Sequence, residues 1–303
     1  MRILFAADLS PHSQASADAL IAMRYGRNDE IKVLTVVELF EPFLAVHAAE
    51  AAEQAQAHVR SVAATILQHL PYCKVSAESL AGYPDQVIID TAAAFKADLI
   101  VIGSHGRSAL TRFLWGSTSR AVALNAACPV RIVKNGHQAR SPKNVVIALD
   151  ESPARSEQTE YVIEHVLKAS WPDGVRFKCV TALKNEHGAV LSKHNSGETL
   201  LKEEKSLKAG VEEALRNHVA RLNSEFGDNC ACYEIVYGDA REQIINAAQA
   251  FEAGLIVLGS HSQRTYKDIV FGSVADAVSS HAECSVEIVK HYSMKKAKMH
   301  VIV

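Results

Sequence analysis

Short runs of branched apolar residues alternate along the chain with longer stretches whose apolar positions recur every three or four residues. Runs 2–7, 31–37, 75–80, 98–102 and 130–133 read as buried strands, and 13–25, 50–70, 86–95 and 116–125 carry the helical period. The pattern then starts again, with strands expected at 145–149, 175–183, 233–236, 255–258 and 286–289 and helices at 152–168, 198–226, 239–251 and 273–281. Strands that alternate with helices predict a parallel sheet covered on both faces and joined by right-handed crossovers. The expected class is α/β, twice over, each half a five-stranded parallel sheet with helices on both faces.

Two of the strands end in matched glycine loops. Asp98 to Ile102 runs into Gly103-Ser104-His105-Gly106, and nine residues later Gly116-Ser117-Thr118 opens a helical stretch. Leu255 to Leu258 runs into Gly259-Ser260-His261-Ser262, and nine residues later comes Gly272-Ser273. The offset is constant, 259 − 103 = 156 and 272 − 116 = 156, and Cys128 with Cys284 and Lys134 with Lys290 keep it. Near the start of each half Asp8 matches Asp150, and 150 − 8 = 142, so the second half carries 156 − 142 = 14 further residues, expected in turn-rich 184–197. Domains are expected at 1–136 and 143–291, joined by a polar, turn-rich linker, with a tail at 292–303 whose Lys295, Lys296 and Lys298 read as a solvated face.

Composition narrows the classes. A length of 303 allows two units, each able to bury a core, and a net charge of −2 with mixed signs gives no basic footprint for nucleic acid or a membrane surface. The apolar start is broken by Asp8, too early for a secretory leader, and no apolar run has membrane length, so a cytoplasmic protein is expected. Six cysteines without Cys-x-x-Cys spacing read mostly as reduced core thiols.

The glycine loops suggest an anion cradle. Glycine lets backbone approach a ligand closely, and Gly116-Ser117-Thr118 offers N–H groups and two hydroxyls at a helix N-terminus, where negative charge is favoured. The spacing Gly103, two residues, Gly106, nine residues, Gly116-Ser117 resembles the ATP-binding signature of the universal stress proteins. That resemblance implies Rossmann-like domains of the adenine nucleotide alpha hydrolase-like type, binding ATP alone or with magnesium or manganese. It places Asp8 near adenine and ribose, Val36 as backbone for the adenine, and Gly103 and Gly106 along ribose and phosphates. Ser104 and His105 belong to that loop, Arg107 would add charge, and Gly116, Ser117 and Thr118 would hold phosphates. Asp8 reads equally as a cap for the first helix, and His105 and His261 as hydrogen-bonded loop residues.

The second copy keeps Asp150, Gly259, Gly272 and Ser273, but Ser262 stands where Gly106 stands in the first. A positive φ at such a serine costs about 1–3 kcal/mol, or about one to two decades of affinity. The first repeat is therefore expected to bind ATP, and the second weakly or not at all.

No Gly-x-x-x-x-Gly-Lys-Ser/Thr, Gly-x-Gly-x-x-Gly, nucleophile elbow or zinc spacing is present in the sequence. A nucleotide-dependent stress-response regulator is expected rather than an enzyme. In that reading ATP orders residues 104–115, whose Leu110, Phe113, Leu114 and Trp115 are shown to or hidden from a partner protein. The alternative is a slow metal-dependent ATPase or phosphotransferase. An exposed strand edge has to be paired, and single-domain stress proteins pair through their fifth strand. The resemblance thus implies an intramolecular pseudo-dimer with 130–133 beside 286–289, and allows whole chains to form a homodimer.

Overall fold

The computed structural model of the chain describes residues 1–10, 13–38, 48–104, 116–134, 142–152, 154–183, 197–260, 264–265, 268–269 and 272–290. In the first repeat the elements are β1 (Arg2–Ala6), α1 (Ser13–Ile21), β2 (Glu30–Glu38), α2 (Ala48–His69), β3 (Lys74–Gly82), α3 (Pro84–Phe95), β4 (Leu99–Gly103), α4 (Ser117–Asn125) and β5 (Val130–Val133). The second repeat has β6 (Asn144–Ala148), α5 (Ser156–Lys168), β7 (Arg176–Leu183), α6 (Gly197–Phe226), β8 (Ala231–Tyr237), α7 (Ala240–Ala250), β9 (Leu255–Gly259), α8 (Ser273–His281) and β12 (Ser285–Val289). Between β9 and α8 two strands of two residues each, β10 (Arg264–Thr265) and β11 (Asp268–Ile269), pair antiparallel where the hydrophobic pattern marks no strand.

Ten strands form one sheet in the order β3-β2-β1-β4-β5-β12-β9-β6-β7-β8. Within each repeat all pairings of this sheet are parallel. The halves meet through a single antiparallel pairing, β5 with β12, in which Arg131 lies opposite Glu287 and Ile132 opposite Val286. The expected edge-to-edge pseudo-dimer is therefore what the chain forms. In each half the strand order reverses between the first and fourth strands, β1 with β4 and β6 with β9, so a crevice opens at the carboxyl ends of these pairs.

Alternation in the central strands divides the core. Ile3 and Phe5 of β1 pack with Leu20 of α1 and Val59 and Ile66 of α2, whereas Leu4 faces Ile88 of α3 and Val122 of α4 on the opposite side. That second face is continuous across the molecule, because Ile244 of α7 and Val278 of α8 belong to the same cluster. Burying one shared face stabilises the two halves as a unit.

Two boundaries differ from the pattern. The apolar period of the first helix continues to residue 25, but α1 ends at Ile21, and Met23 and Tyr25 instead pack with or against the core of the second repeat. The second repeat's helix opens at Ser156 rather than Ser152, because the Asp150 carboxylate accepts the Ser152 N–H at 3.1 Å and the Ser152 carbonyl closes a turn with the Arg155 N–H at 2.8 Å.

The 14 extra residues are not all in one place. The Ala7 N–H to Leu34 carbonyl bond is repeated by Leu149 to Val180, and 149 − 7 = 142 whereas 180 − 34 = 146. Four residues therefore enter before β7, and α5 has 13 residues against 9 in α1, about one helical turn more. The remaining ten enter between β7 and the glycine after β8, since 238 − 82 = 156, and α6 has 30 residues against 22 in α2. Of 184–197, only Gly197 is among the described residues.

Gly82 and Gly238 turn the chain after β3 and β8 at φ of 153° and 128°, and a Cβ on Gly82 would lie 2.7 Å from Val87 Cγ2. Both turns need glycine for the same reason, a backbone conformation that side chains rarely adopt. Of the six cysteines, Cys73 and Cys179 are buried, Cys128, Cys230 and Cys284 are half-buried and Cys232 is exposed, so fewer sit in the core than the sequence suggests; none forms a disulfide.

Candidate functional site

The crevice of the first repeat is built from three strand ends. β1 stops at Ala6, and its last partner on β2 is Leu34. β2 continues to Glu38 paired only with β3, with Val36 opposite Leu80, so the backbone edge of Val36 on the β1 side faces the crevice. Thr35 holds this divergence, its hydroxyl donating to the Ala7 carbonyl at 2.9 Å. Asp8 follows at once. Its carboxylate accepts the Ser10 hydroxyl at 2.7 Å and the Ser10 N–H at 3.3 Å, which makes it the organiser of the turn after β1 rather than the N-cap of α1, which starts at Ser13.

On the other side β4 ends at Gly103, and Ser104 is completely buried, its N–H donating to the Val133 carbonyl at 2.8 Å. The Ser104 carbonyl accepts the Gly116 N–H at 2.7 Å, which pins the start of α4 to the end of β4. Ser119, buried one turn into the helix, braces the junction by donating to the carbonyls of Gly116 at 3.0 Å and Ser104 at 3.3 Å. Gly116 is the N-cap residue and has no side-chain cap. The first α-helical bond runs from the Arg120 N–H to the Gly116 carbonyl at 3.0 Å, so the amides of Ser117, Thr118 and Ser119 lack acceptors within the helix. Ser117 is exposed and Thr118 half-buried.

Asp8, Val36, Gly103, Ser104, Gly116, Ser117 and Thr118 are thus brought to one end of the sheet. His105, Gly106 and Arg107 lie outside the described residues, as does Ser262 of the second repeat.

Sequence reasoning missed the residues beneath the crevice. Ser13 and Ser16 of α1 are buried, at 5% and 1% exposure, and neither hydroxyl has a hydrogen-bond partner among the described residues. Unpartnered buried hydroxyls are costly, and a polar ligand above them would lower that cost.

The second repeat has the same frame with a different filling. Asp150 makes the matching turn, Ser260 donates its N–H to the Val289 carbonyl at 2.9 Å, and Gly272 is an N-cap without a side-chain cap, followed by exposed Ser273. The position of Ser16, however, is taken by Gln158, since 158 − 16 = 142. Gln158 Nε2 reaches across the end of β9 and donates to the Ser260 carbonyl at 2.6 Å. The side chain lies so close to Gly259 that a Cβ there would be 2.6 Å from Nε2. Ala275 replaces Ser119, since 275 − 119 = 156, and removes the hydroxyl brace. Aligning the halves at the 142 offset shows the serine-to-glutamine exchange, but only the fold shows where the amide ends.

Among the described residues no group of three or more His, Cys, Asp or Glu is placed to hold a metal ion, and no helix is long and apolar enough to cross a membrane.

The sequence profile of the universal stress protein family matches twice, at residues 1–134 and 142–290. A universal stress protein of Methanocaldococcus jannaschii is 46% identical over 61 residues, which are 20% of this chain and 36% of that protein. The stress response protein NhaX of Bacillus subtilis is 26% identical over 65% of this chain and 99% of its own length. A universal stress protein from Archaeoglobus fulgidus shares the fold, with a TM-score of 0.67 over 95% of this chain and 98% of that one at 22% identity. With two family repeats, each carrying its own strand-end crevice and joined through their fifth strands, the chain belongs to the universal stress protein family in its tandem form.

Proposed function

We propose that the first repeat binds ATP in the crevice between β1 and β4, that the second repeat binds it weakly or not at all, and that the protein is a nucleotide-dependent stress-response regulator rather than an enzyme. The observation that carries this reading is the Ser104 carbonyl to Gly116 N–H bond, which holds the uncapped N-terminus of α4 at the mouth of β4. Amides there favour a phosphate chain. The buried hydroxyls of Ser13 and Ser16, without a partner among the described residues, fit a polar ligand. Val36 offers backbone at the far side for a flat base, and Asp8 stands between the two. The closed state of the second crevice is supported by Gln158, whose amide already holds the Ser260 carbonyl.

Asp8 is occupied by Ser10, which supports a holding role for it over that of a general base. The apolar residues proposed to respond to ATP, Leu110, Phe113, Leu114 and Trp115, lie outside the described residues. Calorimetric titration of the full chain with ATP, with and without magnesium or manganese, is expected to give one site per chain and no ADP over hours. Two equal sites, or none, would refute the reading, and turnover would favour the slow ATPase.

A further inference from the structure

We infer that the β5–β12 edge carries a charge code that lets each repeat pair only with an unlike one: the first repeat presents cations at the self-facing positions and the second presents anions.

The geometry rests on the duplication. Arg131 and Glu287 lie opposite one another in the antiparallel pairing, and 287 − 131 = 156, so they are the same position in the two repeats. The pseudo-twofold axis passes between them. In a pairing of two identical repeats such a position meets its own copy, which here would set arginine against arginine or glutamate against glutamate. In the tandem chain the two form an ion pair, Arg131 Nε to Glu287 Oε2 at 2.5 Å, with side chains 4% and 0% exposed.

A second position behaves alike. Arg120 of α4 and Asp276 of α8 are also 156 apart, 276 − 120 = 156, and meet across the axis at 3.1 Å. The signs agree, basic in the first repeat and acidic in the second. Arg120 is exposed and Asp276 half-buried, so this outer pair contributes less than the inner one, but it repeats the polarity of the buried one.

The surroundings differ to match. His165 Nε2 lies 2.5 Å from Glu287 Oε1, so the carboxylate has an imidazole on one oxygen and the guanidinium on the other. His165 sits in the turn by which α5 outlasts α1, since Ile21, the last residue of α1, matches Ile163 at 163 − 21 = 142, so α1 has no matching imidazole to donate to a second acid. Arg131 instead lies over the Trp171 ring, 5.8 Å from its centre. Like charges directly opposite in a ladder are destabilising, and a buried charge without its partner is far more so. The edge therefore excludes a second copy of its own repeat.

The test uses full-length chains at pH 8. Arg131→Glu and Glu287→Arg each set like charges face to face, and each variant alone is expected to melt about 10 °C below the parent. In an equimolar mixture annealed below the melting point, the first repeat of the Arg131→Glu chain suits the second repeat of the Glu287→Arg chain, and the reverse also holds. Native mass spectrometry is then expected to show a 1:1 heterodimer in preference to either homodimer. The double exchange R131E/E287R within one chain is expected to recover most of the lost melting temperature, which separates misfolding from mispairing. Single variants with the parent's melting temperature, a statistical mixture of dimers, or a double exchange no better than the singles would each overturn the inference.

Discussion

Gln158 Nε2 lies 2.6 Å from the carbonyl of Ser260, whereas in the first repeat the matching carbonyl, that of Ser104, takes the Gly116 N–H at 2.7 Å. The same strand end thus supports a helix N-terminus in one half and a side-chain amide in the other. Under the proposed function this difference sets the nucleotide stoichiometry. Ser16→Gln is expected to lower ATP affinity at least tenfold, about 1.4 kcal/mol, and Q158S/S262G to create a second site. Calorimetry on the full chain reads both, and a Ser16→Gln chain with undiminished affinity would show that α1 does not border the ligand.

Gly259 and Gln158 should be energetically coupled. A Cβ at 259 would displace the Gln158 amide and break its bond to Ser260, so Gly259→Ala is expected to cost about 1 kcal/mol. In a Gln158→Ser background that cost should largely vanish. A double-mutant cycle by urea denaturation measures the coupling, and additive effects would count against contact.

The buried ion pair predicts acid sensitivity. Burial pushes the Glu287 carboxyl up, but Arg131 and His165 outweigh it and hold it at about 2, below its ordinary 4.5. A carboxyl whose folded value is depressed contributes stability in full above 4.5, and that contribution is lost as pH falls toward about 2. Glu287→Gln is expected to cost about 3 kcal/mol at neutral pH by leaving Arg131 buried without its counter-charge. It should also flatten the melting profile between pH 4.5 and 2, and a parallel profile would contradict the assignment.

Two interface lysines predict a second rise of stability with pH, in the alkaline range. Lys290 Nζ donates to the Ala126 carbonyl at the end of α4 at 2.8 Å, and Lys134 Nζ to the Ser280 carbonyl of α8 at 3.4 Å. Burial pulls both ammonium groups down to about 8 from 10.5, despite the opposing influence of Cys128 and Cys284. Between those values the unfolded chain binds more protons, so these groups make stability rise with pH from 8 to 10.5. K134M/K290M should remove that rise relative to the parent, as read from melting temperatures across the window.

Gly82 offers a test of the backbone. At a φ of 153° and with Val87 Cγ2 in the way of a Cβ, Gly82→Ala is expected to destabilise by about 1–3 kcal/mol. Unchanged denaturant midpoints would show that the turn relaxes freely.

Local chemistry explains what was legible in the sequence. Branched runs such as 99–102 and alanine-rich periods such as 50–69 report strand and helix directly, because side-chain spacing and burial are properties of neighbouring residues. The constant 156 between glycine loops revealed the duplication, and the edge character of 130–133 pointed to 286–289. The paired strands 264–265 and 268–269 escaped because two-residue strands are too short to carry a period.

What the sequence by itself determined, then, is the two-fold α/β architecture and the position of each glycine loop at a strand end. Tertiary structure alone decided that Gln158 spans the second crevice, that Ser13 and Ser16 are buried beneath the first without partners among the described residues, and that Arg131 meets Glu287 on the pseudo-symmetry axis. The reason is physical. Periodicity is set by residues a few positions apart, whereas these contacts join residues 102 and 156 positions apart, and their distances exist only once the sheet has fixed the register of the strands between them.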